Sequence, residues 1–132
     1  MPKNQRIRRT ASISNELITK SRESALAAVQ IFNSPMITFK SEIYIVLMHI
    51  AWTYLLHAFY RKQGVEYRYY KQREKRRVYD RTKSGAFKYW ELERCLNERR
   101  CPLDKDTVNN LRFLIEIRHE IEHQMTTRID SS

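Results

Sequence analysis

Apolar residues recur at helical spacing over three long stretches of this chain. In the first, Leu17, Ile18, Ser21, Ala25, Ala28, Val29 and Phe32 follow one another at mostly three- and four-residue intervals, the stripe of an amphipathic helix. Ser12 or Ser14 is placed to cap it, with Glu16 in the favourable first turn, and Asn33-Ser34-Pro35 ends it. The small residues Ser21, Ala25 and Ala28 would let a neighbouring helix approach closely. A second helix is expected from residues 38–41 to about Lys62, just before Gly64. Residues 43–60 hold no charge, a length at which a membrane span has to be weighed. Yet Glu42, Val46, His49, Thr53 and His57 trace a polar stripe along this helix, which suits the centre of a bundle where the stripe meets partners. No membrane partner is expected.

The third helical stretch has two parts. Ser84-Gly85 is expected to open a helix with Tyr89, Trp90, Leu92 and Leu96 in the core, broken by Arg99-Arg100-Cys101-Pro102. Asp104 then caps a fourth helix with Asp106 in its first turn. Its apolar positions are Val108, Leu111, Leu114, Ile115, Ile121 and Met125, and it is expected to run to about Thr127. Residues 1–13 read as a basic disordered tail and residues 128–132 as a short polar one, leaving residues 14–127 as the helical domain.

Residues 63–83 break the helical period. Val65, Tyr67 and Tyr69 alternate with Glu66 and Arg68, and Val78-Tyr79 follows a polar run. A basic inserted loop or a small β-hairpin between the second and third helices fits this pattern, and so does a solvated helix.

Composition agrees with one compact, mainly helical domain: 132 residues, 42% hydrophobic, with two glycines and three prolines. The net charge of +10 points to an anionic partner, and its placement narrows the choice. Residues 60–83 carry ten Lys/Arg against Glu66, Glu74 and Asp80, a net +7, and residues 1–14 add +4. The remaining residues sum to −1, so the bundle is neutral and its appendages are basic. Lys71, Arg73, Lys75, Arg76 and Arg77, interleaved with tyrosines, are the candidate nucleic-acid-binding residues. Cations of this kind neutralise phosphates while aromatic faces stack on unpaired bases, which suits single-stranded RNA. The bland alternative is a solvated loop whose tyrosines pack on the bundle. Cys95 and Cys101 are too few for a disulfide scaffold, and residues 1–14 are followed by no apolar leader, so a cytoplasmic setting is expected.

The chemistry-bearing stretch is Arg118-His119-Glu120-Ile121-Glu122-His123. Arg118 falls inside the apolar stripe of the fourth helix, where a cation needs a partner or a task; Glu122, four residues on, shares its face. His119 and His123, also four apart, share a neighbouring face. Three readings compete. One is a structural Arg118–Glu122 pair with two surface histidines. Another is the zinc-peptidase pattern H-E-x-x-H, although a catalytic zinc needs a third protein ligand and only Asp130 follows. A Cys95/Cys101/His119/His123 zinc site has the wrong spacing. The third is an Arg-x4-His nuclease motif, with a cation for phosphate and an imidazole for proton transfer.

Arg118-His119-x-x-x-His123 resembles the signature of the HEPN superfamily (higher eukaryote and prokaryote nucleotide-binding). From Glu16 to Met125 the chain also resembles an uncharacterised bacterial family of unknown function grouped with HEPN proteins. The stretches that carry this are residues 17–25, 39–42, 89–92 and 118–123. The resemblance implies an all-α, HEPN-like four-helix bundle, a homodimer, and a metal-independent endoribonuclease of toxin or phage-defence systems, with no cofactor and with a cognate antitoxin among its partners. Carried onto this sequence, Arg118 would hold phosphate, His123 transfer a proton and His119 assist. Glu42 or His57 would orient these groups from the second helix, and Glu122 would modulate Arg118. The alternative is a HEPN-like RNA-binding or protein-interaction module without activity. Relatives continue past residue 132, which implies a truncated or minimal version.

Overall fold

The computed structural model describes the backbone of residues 2–131 and the side chains of Arg9 and residues 11–124. Four helices and one hairpin follow in order: α1 (Pro2–Phe32), α2 (Lys40–Lys62), β1 (Tyr70–Arg73), β2 (Arg76–Tyr79), α3 (Leu92–Asn97) and α4 (Lys105–Ser131). The fold is mostly helical and bundle-like, with a small antiparallel hairpin between α2 and α3. Of the three expectations for residues 63–83, a loop, a hairpin or a solvated helix, the hairpin is the one adopted over residues 70–79.

α2 is the central element, in contact with α1, α3 and α4. Its contact with α1 is built from small residues. Among the described residues of α1 the most buried are Ser14, Ser21 and Ala28, seven apart. Ala51 and Ala58, also seven apart, are buried on α2. Ser21 Oγ donates to the Ala51 carbonyl at 2.6 Å across the seam. Adding the same offset along two antiparallel helices sets Ser14 opposite Ala58, so backbones approach where neither side has bulk. The far half of α2 then belongs to the core proper. Leu56 and Tyr60 pack with Val65, Tyr67, Trp90, Leu92, Cys95, Leu96 and Leu111. Tyr60, fully buried, donates its hydroxyl to the Cys95 carbonyl. α2 is long and apolar enough to cross a membrane by length and composition, with 33% of its most apolar window buried.

Several boundaries depart from the sequence reading. α1 starts at Pro2, not near Ser12–Ser14. Residues 3–14 contain no glycine or proline to stop a helix, and Pro2 sits where a first-turn proline is tolerated. The expected tail is therefore helical backbone, and Ser14 is an interior position, not a cap. α4 continues to Ser131, past the expected end at Thr127; the side chain of Met125 lies outside the described residues. The third helix is the largest correction. Residues 80–90 are not helical: Gly85, at φ 91°, turns the chain between Arg81 and Phe87, which form one isolated antiparallel bridge, and Arg68 forms another with Tyr89. Phe87 and Tyr89 alternate with Lys88 and Trp90, a period of two that favours extended pairing. Trp90 N donates to the Tyr67 carbonyl and Tyr69 N to the Lys88 carbonyl, so this segment lines the hairpin's base. Trp90, Leu92 and Leu96 are buried as expected, while Tyr89 is about half exposed.

Two helix ends follow their capping chemistry, whereas the starts of α2 and α3 carry no side-chain cap bond. Gly64 (φ 72°) closes α2, with Val65 N bonded back to the Tyr60 carbonyl at 2.8 Å. Asp104 caps α4, accepting from the Thr107 hydroxyl, and this bond and nearby amides hold its carboxyl below the usual aspartate value.

The helix seam yields opposite expectations for its two serines. Ser14 Oγ is sealed and has no hydrogen-bond partner among the described residues, whereas Ser21 Oγ is bonded. Ser14→Ala should stabilise the protein by about 1 kcal/mol by removing an unsatisfied hydroxyl, and Ser21→Ala should destabilise it by a similar amount. Urea denaturation of both variants checks the contrast.

Candidate functional site

Arg118 sits where α4 lies along α2. The two helices are antiparallel: Leu111 reaches the core beside Leu56, and seven residues on, Arg118 meets His49. Its Nη1 lies 3.4 Å from His49 Nδ1 and 3.5 Å from Nε2. Near-equal distances mean that the guanidinium lies against the ring rather than along one lone pair. Its Nη2 is 3.3 Å from Glu122 Oε1, and its Nε is buried with no partner among the described residues. The Arg118 side chain is 34% exposed and that of Glu122 58%. This is a partly wet ion pair, not the buried pair that a position inside the apolar stripe suggested.

His49 is buried, and desolvation lowers its pKa to about 4, helped by the Arg118 charge and opposed by Glu122. It is therefore neutral at pH 7 beside a permanent cation. His57, two turns along, is also buried, and desolvation lowers its pKa against the raising effect of its bond to Trp90. Its Nε2 donates to the Trp90 carbonyl at 2.7 Å, and its ring stacks on Tyr67 at 4.7 Å. His57 thus ties α2 to the segment before α3. Thr53, between them, spends its hydroxyl on the His49 carbonyl. The polar stripe on α2 lines a cleft of about 720 Å³ that reaches from Arg118 to Arg61, with Lys20, Tyr67 and Tyr89 on its other walls.

The other named residues distribute as follows. His119 and His123 lie on the exposed side of α4 with Nε2 atoms 2.9 Å apart and rings edge to face. At that separation one ring nitrogen donates and the other accepts. Glu42 is half-buried two turns before His49, on the line that the antiparallel register carries toward the C-terminal half of α4. The residue that α2 presents to Arg118 is thus His49, which the sequence marked only as part of the stripe. Among the described residues no three His, Cys, Asp or Glu side chains converge on a metal-sized space. Cys95 is buried, and burial pushes its thiol up to about 12.

The five basic residues of the insert lie on the hairpin and its turn, all exposed, but they do not form one face. Register pairs Arg73 with Arg76 and Lys71 with Val78 on one side, and Gln72 with Arg77 on the other. Sequence reasoning missed the cations at the hairpin's base. Arg68 lies over the rings of Tyr79 (4.3 Å) and Phe87 (4.6 Å), Arg81 over Phe87 (4.2 Å) and Arg94 over Trp90 (3.9 Å). The signals were present as Glu66-x-Arg68 on one face of an extended segment and Arg94/Glu98 at i, i+4 on a helix.

A basic, mainly helical domain with histidines beside an arginine on its last helix is the class of protein that these features define. The chain belongs to the family described as Domain of unknown function (DUF3644), which it matches over residues 16–132. No curated protein and no solved structure matches it.

The His49 environment predicts a pH response. His49 takes up its proton near pH 6.5 in the unfolded chain but only near 4 when folded. The unfolded state therefore binds more protons in that window, and stability should fall as the pH drops from about 6.5 to 4 and be unaffected by His49 above it. Arg118→Ala should raise the His49 pKa, read by NMR titration, while costing about 1 kcal/mol or less because the ion pair is exposed.

Proposed function

We propose that this protein is a metal-independent endoribonuclease of the HEPN type. The observation that supports it most is the His119–His123 contact of 2.9 Å on an exposed turn of α4, next to Arg118. Cleavage of RNA needs one base and one acid with pKa values near neutrality, and imidazoles have unperturbed values near 6.5. One imidazole takes the 2′-hydroxyl proton as that oxygen bonds to phosphorus; the P–O5′ bond breaks, and the other imidazole protonates the leaving oxygen. The products are a 2′,3′-cyclic phosphate and a 5′-hydroxyl. Arg118 holds the phosphate oxygens and offsets charge in the transition state. RNA is the partner, and the net +7 of residues 60–83 supplies the attraction.

The working form in this reading is a homodimer. Leu26, Val29, Phe32, Met36, Phe39 and Ile43 are all exposed around the α1–α2 turn, Met36 at 89% and Phe39 at 68%. The register of α2 against α4 brings this end of α2 toward the C-terminal half of α4, so a second copy covering the patch would stand near the histidines. A patch of such residues is unusual on a monomer.

A second reading is a non-catalytic RNA-binding or protein-interaction module. It is favoured by one contact: Glu122 lies 3.3 Å from the guanidinium that phosphate would need. Two measurements separate the readings. Metal-free incubation with RNA should give 2′,3′-cyclic phosphate ends, and His123→Ala should lower the rate by 10²-fold or more with RNA affinity retained. Binding without cleavage in the unaltered protein would leave the second reading. Sedimentation at tens of micromolar, where ordinary weak dimers form, should show a dimer that Phe39→Glu dissociates.

A further inference from the structure

Beside the hairpin's base, away from the α2–α4 cleft, lies a groove of about 470 Å³ floored by two carboxylates and rimmed by four arginines. On the hairpin side, Glu66 holds Arg68 through two bonds of 2.9 Å and lies 4.0 Å from Arg77. On the α3 side, Glu98 lies 3.3 Å from Arg94 and 3.2 Å from Arg100. Each carboxylate is thus shared by two guanidiniums, and each set keeps a net charge of +1. Exposure runs one way. The Glu66 and Glu98 side chains are 18% and 10% exposed, against 28% for Arg68, 48% for Arg77, 36% for Arg94 and 60% for Arg100. The acids lie inside and orient; the cations face outward with donors to spare, since a guanidinium has five N–H groups. Bonding to Arg68 lowers the Glu66 carboxyl, while burial raises that of Glu98 but is outweighed by Arg100 and Arg94. Both acids stay ionised at neutral pH, and the arrangement persists.

Three of these guanidiniums also lie over aromatic rings: Arg94 over Trp90 at 3.9 Å, Arg77 over Tyr70 at 4.7 Å, and Arg68 over Tyr79 at 4.3 Å and Phe87 at 4.6 Å. Arg94 and Arg77 remain partly exposed beside these rings, and a guanidinium so placed can stack on an unpaired base. A purely structural ion pair needs neither the second arginine per carboxylate nor the stacked platform.

We infer that this groove binds the backbone of single-stranded RNA, with the two arginine sets holding successive stretches of phosphate and Arg94 and Arg77 stacking on bases. The inference rests on RNA as the ligand in the proposed function, but not on cleavage.

The test uses the full chain and a fluorescein-labelled single-stranded RNA of about 12 nucleotides, 2′-O-methylated so that transesterification is blocked, with anisotropy read across a salt series. Arg94→Gln/Arg100→Gln should weaken binding about tenfold or more and reduce the slope of log K against log salt by about 1.4, from two lost phosphate contacts. Arg94→Lys keeps the charge but loses the planar stack; its affinity should fall several-fold with the slope unchanged. Should the double variant fold poorly, Arg100→Gln, at an exposed side chain, should still reduce the slope by about 0.7. Wild-type affinity and slope in folded variants would overturn the inference. So would a wild-type chain that leaves the oligonucleotide unbound at low salt, an outcome that would point to an acidic protein surface instead. Binding of the blocked RNA without cleavage of ordinary RNA leaves the groove standing and removes the nuclease.

Discussion

The close approach of α1 and α2 along Ser14, Ser21, Ala28, Ala51 and Ala58 is the constraint on which the remaining structure depends. Small residues on both sides let the helices touch nearly backbone to backbone, and the Ser21 bond to the Ala51 carbonyl fixes their register. With that face of α2 committed, the opposite face is left for everything else. At about 100° per residue, His49, Thr53, Leu56 and Tyr60 lie roughly opposite Ala51 and Ala58. Leu56 and Tyr60 on this face pack with the hairpin's base, α3 and the start of α4, while His49 and Thr53 line the cleft that runs from Arg118 to Arg61. One face of one helix thus serves core and cleft side by side, and Arg118 meets His49 at one end of the cleft.

Charge in this protein is handled by sharing rather than by one-to-one pairing. Glu66 and Glu98 each hold two arginines, and Arg68, Arg77 and Arg94 lie over aromatic rings as well, as does Arg81. Arrays of this kind keep a large positive surplus without leaving arginines loose. Stacking also spares each side chain part of the entropy it would lose on meeting a ligand. Arg118 differs in kind: its neighbours are one carboxylate and a neutral histidine, and its Nε is sealed without a partner among the described residues.

What could be read from the sequence divides by the range of the interaction. α2, the start of α4 with its Asp104 cap, the end of α1 and the small residues facing α2 all follow from local spacing. Residues 80–90 were misread because Tyr89, Trp90, Leu92 and Leu96 also satisfy a helical spacing, while the bridges that make this stretch extended come from residues 68 and 81. Ser14 was misread as a cap because a serine before an apolar stripe carries the same local signal whether the helix starts there or passes through. The stripe of His49, Thr53 and His57 was legible; which member meets Arg118 was not, since that is fixed by the offset of α4 along α2. Likewise the arginine sets join residues up to eleven positions apart across a turn, Glu66 with Arg77, and no local period reports such a pair.

The position of Glu122 decides how the α4 cluster can work. As the structure stands, Arg118 spends part of its charge on a carboxylate 3.3 Å away, so an incoming phosphate has to compete with it. The competition is uneven, because Glu122 is more than half exposed; in water the pair is worth about 1 kcal/mol or less. In the proposed function a phosphate offers the guanidinium two parallel bonds, and one whose strand is already held by the groove arginines would arrive at high effective concentration. Gly64, at the groove, lies fifteen residues beyond His49 on the α2 axis, or about 22 Å at the helical rise, within reach of a few nucleotides of extended strand. In that reading displacing Glu122 then costs little, and a strand long enough to reach both places gains from its attachment at the groove. In the proposed function the carboxylate beside Arg118 is a weak competitor, not a contradiction of phosphate binding.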